Sequence, residues 1–347
     1  MKLSPLTLKK LNRFRSIKRG YYAFVIFGIL VLACFGAELL VNSRALVVKY
    51  EGRYYFPTYG AIIPGHTFGL DYDYETSYRR LDELFRQQAS GNWVLLPPVP
   101  YNAFENDLMP DTLPPLPPSL ARRHFLGTDT SGRDVLARLV YGFRIAILFS
   151  LTLLATTYVV GILIGCAMGY YGGAFDILFQ RLIEIWSTVP FLYVVIIISS
   201  IVVPNFWWLI LIMVFFGWMN MTWTMRTITY KERARDYVLA ARALGASNLR
   251  IIALHIIPNT ISIIVTFIPF SVAGGIVALT ALDYLGFGLP PPTPSWGELL
   301  QQAWTNFSAW WLGASVISAM VATLVLVTFI GEAIREAFDP KMHTVYE

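Results

Sequence analysis

The sequence predicts an all-α polytopic membrane protein with about six transmembrane helices. Hydrophobic residues make up 56% of the chain and charged residues only 14%, whereas soluble proteins average about 25% charged residues. Apolar runs close to the roughly 20 residues that cross a bilayer recur along the chain. Two long polar stretches interrupt them, at residues 42–140 and 226–258. We expect these on opposite sides of the membrane, as an extracytoplasmic insert and a cytoplasmic loop of two short helices.

The N-terminal segment, residues 1–20, is basic and contains no acidic residue. Its cations are Lys2, Lys9, Lys10, Arg13, Arg15, Lys18 and Arg19. Basic segments beside a span stay in the cytoplasm, so this segment is predicted to be cytoplasmic and to contact the lipid bilayer rather than nucleic acid. The apolar run at residues 21–41 has no small-residue cleavage site after it, which predicts a retained first transmembrane helix rather than a signal peptide.

The insert, residues 42–140, is the longest polar stretch. Alternating residues on either side of Glu51 and Gly52 predict a β-hairpin over residues 46–56, and residues 75–88 have the composition of a charged surface helix. Prolines recur too often between residues 97 and 118 for a helix or a central strand, so we expect an extended, wrapping segment there. The insert either packs on a partner or on the outer mouth of a pore, or is a loop without such a role.

The insert ends in a turn rich in glycine and aspartate. Its residues are Gly127, Asp129, Gly132, Arg133 and Asp134. Two glycines and two carboxylates between apolar flanks predict a turn whose aspartates cap the helix that runs into the second span. A metal-binding or catalytic role of the two aspartates is the alternative, and we favour capping.

The membrane domain, residues 141–335, begins with the second span, predicted at residues 148–168. Gly161, Gly165 and Gly169 recur there at intervals of four residues, which places them on one helical face. Small residues on one face let two helix backbones approach closely within a membrane. This face is therefore predicted to pack against another helix.

The remaining spans are predicted from apolar length. They fall at about residues 190–203, after an amphipathic entry with Arg181 and Glu184, and at residues 207–224, 261–282 and 312–331. Residues 283–311 then lie outside, and the tail, residues 336–347, lies in the cytoplasm with the N-terminus. Arg133, Arg138 and Arg144 near the outer interface oppose this orientation, but the N-terminal basic cluster and the basic loop outweigh them.

The loop at residues 226–258 is a basic island between two spans. Its first half has residues at helical spacing that can bury one face of a short helix: Tyr237, Ala240, Ala241 and Leu244. Gly245 fits a left-handed helix end, and Ser247 can cap a second short helix. Pro258 then opens or kinks the next span.

This spacing resembles the conserved cytoplasmic loop of importer-type ABC permeases, which has Glu-Ala-Ala, Gly and Leu-Pro landmarks. Here Leu239 replaces the glutamate, and Ile257 precedes Pro258. In that family the corner docks into a cleft on an ATP-hydrolysing subunit and transmits its motion to the membrane. The resemblance implies that the docking residues are Ala240, Ala241, Arg242, Gly245, Ala246, Ser247 and Pro258. The competing interpretation is a basic loop held at the lipid surface.

Other segments resemble the same family. Residues 126–134 resemble the LGTD-x-x-GRD signature ahead of the second span in C-type permeases of dipeptide, oligopeptide and nickel importers. Residues 285–297 resemble their re-entrant outer segment, and residues 332–340 resemble their C-terminal ending. Residues 49–57 look like the narrower YejE-type permease of bacterial oligopeptide and microcin C importers.

The resemblance implies a non-catalytic permease subunit of the bacterial inner membrane, with both termini in the cytoplasm. Its implied partners are a second, B-type permease, one or two ABC ATPase subunits and an extracytoplasmic solute-binding protein. Oligopeptides or peptide-like compounds of the microcin C type would pass between the two permeases. We expect no cofactor, metal or catalytic residue in this chain, with ATP and Mg bound by the ATPase, because the sequence contains neither a G-x-x-x-x-G-K-[ST] loop nor H-E-x-x-H.

A proton-coupled secondary transporter is the main alternative, and an intramembrane enzyme is a second. The first needs carboxylates near mid-membrane and recognisable repeat halves, and the second needs a nucleophile with its base or metal ligands within spans; neither pattern is evident. Glu38 and Glu184 lie at span ends, where an ionisable group suggests a function, but pairing at the interface is the favoured interpretation. Cys34 and Cys166 lie in apolar runs and indicate neither a disulfide nor a metal site.

Overall fold

The computed structural model describes residues 5–88, 91–108 and 112–338, which are mostly helical. The α-helices are α1 (Pro5–Ser16), α2 (Lys18–Phe35), α3 (Ala37–Leu40), α4 (Tyr78–Gln88), α5 (Val135–Tyr171), α6 (Gly173–Ser187), α7 (Phe191–Ile201), α8 (Phe206–Glu232), α9 (Asp236–Ala243), α10 (Asn248–Ile251), α11 (Ile257–Tyr284), α12 (Trp296–Thr305) and α13 (Trp310–Phe338). The strands are β1 (Val47–Tyr50), β2 (Arg53–Tyr55) and β3 (Trp93–Leu95). The last nine residues of the predicted tail lie outside the described part.

The count of spans agrees with the prediction of about six. Among the described residues, five helical stretches are long and apolar enough to cross a membrane: α2, α5, α8, the continuous stretch from α10 to α11, and α13. A sixth span exists if α6 and α7, bent by 69° at their junction, count as one. The third span predicted at residues 190–203 corresponds to α7 alone, which is only 11 residues long. Pro190 lies at the break, where a proline cannot continue a helix ladder.

Helix α5 is the centre of the bundle. It has 37 residues and packs along α8 and α11, while α13 packs against α2 and α11. Side chains from these helices form one apolar core that includes Phe149, Leu209, Ile276 and Val316, each less than 2% exposed. The second span is therefore much longer than the predicted residues 148–168, because the helix begins at its Asp134 cap within the insert.

The insert folds around a small sheet with strand order β2-β1-β3. The predicted hairpin is confirmed, with Glu51 and Gly52 at positive φ in its turn. Strand β3, which pairs antiparallel with β1, was not predicted because three residues are too short to show alternation. Helix α4 begins at Tyr78 rather than at residue 75, and it is more than a surface helix, since Tyr78, Leu81 and Phe85 are buried against the sheet.

The segment between α11 and α12 is organised by one buried carboxylate. Asp283 accepts a hydrogen bond from the Leu289 amide at 2.7 Å and another from the Ser295 hydroxyl. Ser295 in turn caps α12 by accepting from the Gly297 amide at 3.1 Å. A Cβ on Gly297 would lie 2.3 Å from the Thr280 carbonyl oxygen, so a side chain there would separate α12 from α11.

Candidate functional site

The loop between α8 and α11 turns a tight corner at Gly245. Its φ is +79°, a left-handed conformation that glycine adopts without steric cost. The Gly245 amide donates to the Arg242 oxygen and the Ala246 amide donates to the Ala241 oxygen, both at 3.0 Å. This pair of hydrogen bonds is the Schellman motif, which satisfies the last carbonyls of a helix. The first short helix of the loop, α9, therefore ends where the sequence predicted.

The second half of the loop differs from the prediction of a separate short helix. Ser247 does cap α10 by accepting from the Arg250 amide at 3.4 Å, but α10 does not end. It continues through a π-helical turn, Ile252–Ile256, directly into α11. Pro258, which has no amide hydrogen, lies in the first turn of α11, and the wider turn before it accommodates that missing donor. The corner is thus rigidly continuous with a membrane span.

The inner face of the corner rests on the bundle. Val238, Ala241 and Ile251 are buried in an apolar cluster with Tyr170 of α5 and Met225 of α8. These contacts connect the short helix α9 to α5 and α8. Because these side chains are closely packed, a force on the corner is transmitted to α5 and α8.

Arg242 turns back towards the protein. Its Nη2 donates to the Tyr170 hydroxyl at 3.1 Å, and this hydroxyl donates to the Asn248 side chain at 3.0 Å. Arg233 donates to the Tyr170 carbonyl oxygen at 2.9 Å. Tyr170 thus holds both sides of the corner together. The sequence does not predict this role of Tyr170, because nothing local marks a tyrosine as the meeting point of residues more than sixty positions away.

The outer face of the corner is apolar and uncovered. Leu244 is 87% exposed and Leu249 is 75% exposed, and they flank the exposed Gly245. Ala240, Arg242, Ser247 and Pro258 are exposed as well, while Ala241 is buried and Ala246 half-buried. Leu239, at the glutamate position of the resembled loop, is 48% exposed and offers no polar contact. Among the predicted docking residues, Ala241 is therefore a supporting residue of the corner.

The glycines of the second span bring α5 and α8 into close contact. A Cβ on Gly161, Gly165 or Gly169 would lie 2.7 Å from the Met221 Cβ, 2.5 Å from the Thr222 oxygen or 2.5 Å from the Arg226 oxygen, respectively. Next to Gly169, Arg226 of α8 pairs with Asp176 of α6 through two hydrogen bonds of 2.5 and 2.6 Å. The glycine face therefore meets α8, the helix that leads into the corner.

The outer turn uses its two aspartates as caps. Asp129 accepts from the Ser131 amide at 2.8 Å and from the Arg133 amide at 2.9 Å, and Asp134 accepts from the Ala137 amide at 2.7 Å. Gly127 and Gly132 have φ near +80°, at +74° and +80°. Among the described residues, no group of three or more His, Cys, Asp or Glu is arranged to hold a metal ion.

The three arginines that oppose the predicted orientation all have carboxylate partners. Arg133 donates to Glu298 of α12 at 2.7 Å, and Arg138, fully buried, donates to the other oxygen of the same carboxylate. Arg144 pairs with Glu38 at 2.8 Å. Glu38 is therefore paired, as the favoured interpretation predicted. Glu184 also pairs, with Arg181 at 2.5 Å.

A buried histidine joins the insert to the start of α5. His124 lies 2.8 Å from Asp134 through Nδ1 and 3.1 Å from Asp107 through Nε2. The Tyr101 ring stacks on it at 3.9 Å. Arg79 of α4 donates to Glu105 beside this group. Sequence reasoning missed this network, because its members are separated along the chain and the four histidines show no local cluster.

We expect this network to make the insert sensitive to pH. Burial alone would lower the pKa of His124, but hydrogen bonds with Asp107 and Asp134 outweigh burial and raise it above the ordinary 6.5. The stabilisation by protonated His124 is thus complete below about pH 6.5 and lost as pH rises through the raised pKa. The His124 hydrogen bond lowers the pKa of Asp107 from 3.8, so its contribution is present above that value and lost as pH falls through the lowered pKa.

Hydrogen exchange of the insert amides in the full-length protein, corrected for intrinsic rates, should therefore be slowest near pH 5 to 6 and faster at pH 8.5. His124→Gln should remove this difference. His66→Gln is the control, because His66 also lies 2.9 Å from an aspartate, Asp73, but its side chain is 60% exposed. An unchanged profile in His124→Gln would contradict the assignment.

Comparison with known proteins gives one family. A family model described as "binding-protein-dependent transport system inner membrane component" matches residues 161–344. The chain is 42% identical to the inner membrane ABC transporter permease protein YejE of Escherichia coli, over 98% of both chains. It is 38% identical to the peptidoglycan transport system permease protein YejE of Agrobacterium fabrum, over 97% of this chain and 94% of that one. It is 32% identical to the oligopeptide transport system permease protein OppC of Haemophilus influenzae, over 65% and 72%.

Proposed function

Since this chain belongs to the family of binding-protein-dependent transport system inner membrane components, we propose that it is one of two permease subunits in an ATP-driven importer of peptides or peptide-like compounds. It is a multi-pass inner-membrane protein. A second, B-type permease forms the other wall of the path, and one or two ATPase subunits bind ATP and magnesium. A soluble binding protein delivers the solute from outside.

The exposed apolar tip of the corner is the observation that best supports this function. Leu244 and Leu249 are mostly exposed, yet the opposite face of the same corner is fully packed. A rigid helix end with an exposed apolar tip can dock into an apolar cleft on a partner protein, in the way that amphipathic helices bind apolar grooves. We assign the ATPase as that partner, and the tip as the part of the chain that it holds.

Motion of the ATPase reaches the membrane by two connections. The corner continues through the π-helical turn into α11, and α9 is tied to α5 through Tyr170 and Arg242. ATP binding closes the ATPase dimer and draws the corners of the two permeases together. The attached spans then move as rigid elements and open the path outward, which is the kind of lever that packed helices provide.

Peptides are the substrate class that the relatives support. The names of two of them refer to peptidoglycan and oligopeptide transport. We extend this class to this chain, with peptide-like compounds of the microcin C type included. A proton-coupled transporter is the weaker candidate, because the middle parts of the five unbroken spans contain no carboxylate, and Glu184 in the bent pair α6 and α7 is paired with Arg181. Such transporters keep their coupling sites near the midplane.

The test of this function is co-purification followed by reconstitution. When the tagged chain is co-expressed with its proposed partner subunits and purified, an ATPase and a second permease should co-purify with it. In vesicles with the binding protein, ATP hydrolysis should rise and uptake should follow for at least one of three probes: tri-alanine, penta-alanine and a muramidase digest of peptidoglycan. Uptake that is driven by a proton gradient without ATP would overturn the proposal.

Topology gives a separate prediction. Single cysteines at Lys9 and Ala234 should be labelled only from the cytoplasmic side, and single cysteines at Asp73 and Gln301 only from outside, because the basic segments fix orientation. All four positions are exposed, so access to the reagent is not limited by packing. Residue 343, a further cytoplasmic position, lies outside the described residues. Labelling of Ala234→Cys from outside in intact cells would reverse the proposed orientation.

A further inference from the structure

A cavity of about 390 Å³ lies between α5, α8 and α11, near the middle of each helix. This volume is within the range of ligand sites, roughly 300–1,000 Å³. Polar groups from all three helices reach it: Thr157 and Tyr158 from α5, Asn220 and Thr224 from α8, and Ser271 from α11. The rest of the lining consists of apolar side chains and glycines, so the cavity groups five polar side chains within an otherwise apolar part of the bundle. We refer to it as the polar cavity.

Asn220 is the most informative of these residues. It lies near the middle of α8, in a helix of high apolar content, and its side chain is exposed in the cavity. A polar side chain at this depth is costly in lipid and generally faces a protein interior or a water-filled space. The exposed carboxamide therefore indicates that lipid tails do not cover this face in the assembled transporter.

The shape of the cavity lets a peptide backbone approach the hydrogen-bonding groups at its base. Gly217 and Gly274 are exposed on its walls, and a Cβ on Gly274 would meet open space. Tyr158 and Ser271 hydrogen-bond each other at 2.8 Å across the floor. Small residues beside hydrogen-bonding groups allow a backbone to approach closely.

The other cavities along the bundle differ in chemistry. The groove on another face of α5 and α8 is lined by residues such as Val159, Leu211 and Trp218. The groove formed by α11, α12 and α13 is lined by residues such as Leu300 and Ile317. Both are almost wholly apolar and suit lipid tails or apolar helix packing. Among the described residues, only neutral side chains line the polar cavity, so it offers hydrogen bonds without a preference for charge.

We propose that this cavity is this chain's wall of the translocation path, and that Asn220 and Thr224 bind the backbone amides of a peptide in transit. The inference rests on the proposed import function. A carboxamide both donates and accepts, as a peptide unit does, so it can pair with any peptide regardless of side chain. A lipid acyl chain could form no hydrogen bond with any of these polar groups.

The test compares two threonines on one helix. Thr224→Val removes a hydroxyl that lines the cavity, and Thr227→Val removes one that does not. Both hydroxyls donate to the carbonyl four residues earlier at 3.0 Å, so the effects on the helix are matched. Asn220→Leu completes the set, with similar volume and no polar group.

The measurement is uptake by the complete reconstituted transporter, with whichever of the three probes the wild type transports. We expect the uptake kcat/KM to fall about three- to tenfold in Thr224→Val and at least tenfold in Asn220→Leu, as loss of one or more hydrogen bonds predicts. Thr227→Val should stay within about twofold. Hydrolysis stimulated by the binding protein should persist in all three, because the corner is unchanged.

Labelling gives a second, independent readout. A water-soluble thiol reagent should modify Asn220→Cys in the assembled complex, and the transported probe should slow the reaction. Exclusion of the reagent would mean that lipid or a helix of the second permease fills the cavity, and would overturn the inference.

The inference is also overturned if Asn220→Leu and Thr224→Val take up the probe as well as Thr227→Val. The import function would then stand, with its path elsewhere. Failure of the wild type to take up any probe would instead remove the proposed function, and this inference with it.

Discussion

Gly245→Val should leave the protein folded in the membrane and strongly reduce transport. The variant should assemble with the second permease and accept loaded binding protein, but uptake and stimulated ATP hydrolysis should both fall by at least about tenfold. The reason is local. A β-branched residue at a φ of +79° costs about 1–2 kcal/mol, and relief of that strain reshapes the corner.

The structure separates this effect from internal packing. A Cβ on Gly245 would meet no atom within 4 Å, so the valine collides with nothing in the chain and any added bulk projects towards the partner. Co-purification of the ATPase, together with hydrolysis in vesicles, measures the loss directly.

Gly52→Val is the matched control. Gly52 has a φ of +78° and the same open surroundings, but it lies in the hairpin of the insert. It should suffer a similar strain and keep normal coupling. Normal coupling in Gly245→Val would show that the loop is a basic surface segment and would remove the main support for ATPase docking there.

Gly165→Leu should disrupt the bundle itself. A Cβ at this position would lie 2.5 Å from the Thr222 carbonyl oxygen and 3.0 Å from the Arg226 amide nitrogen. These are backbone atoms, which cannot rotate away, so α8 must move. Overpacking typically costs 1–3 kcal/mol, and occasionally more. We expect a lower melting temperature in detergent, less assembled transporter and little uptake.

Gly28→Leu is the control for the added side chain. Gly28 lies in α2, and a Cβ there would meet nothing within 4 Å, so the chain's own stability should hardly change. Leu153→Ile, a nearly volume-conserving change in α5, should also be mild. Wild-type melting behaviour in Gly165→Leu would contradict the close contact between α5 and α8.

Several features of this protein could be predicted because their causes are local. Apolar length marks the spans, and alternation around Glu51 and Gly52 marks the hairpin. A glycine after an alanine-rich helix marks the corner, since a left-handed helix end depends on only a few neighbouring residues. The cap at Asp134 is also local, because its side chain accepts a hydrogen bond from the amide of the residue three positions later.

The long α11 could not be predicted in this way. Ser247 and Pro258 each mark a possible boundary, and the sequence therefore indicated a second short helix that ends before the span. Ile251 and Ile256 pack against α5 and α8, and this packing keeps the stretch helical past both Ser247 and Pro258. A π-helical turn before Pro258 accommodates its missing amide hydrogen.

Tertiary structure alone decided which distant groups meet. Glu298 pairs with Arg133 although 165 positions separate them, and Tyr170 joins Arg242 and Asn248 across more than seventy. The polar cavity around Asn220 exists only because α5, α8 and α11 converge there. Such contacts depend on how helix faces pack, and helix packing is set by the combined shape of many side chains rather than by any short segment.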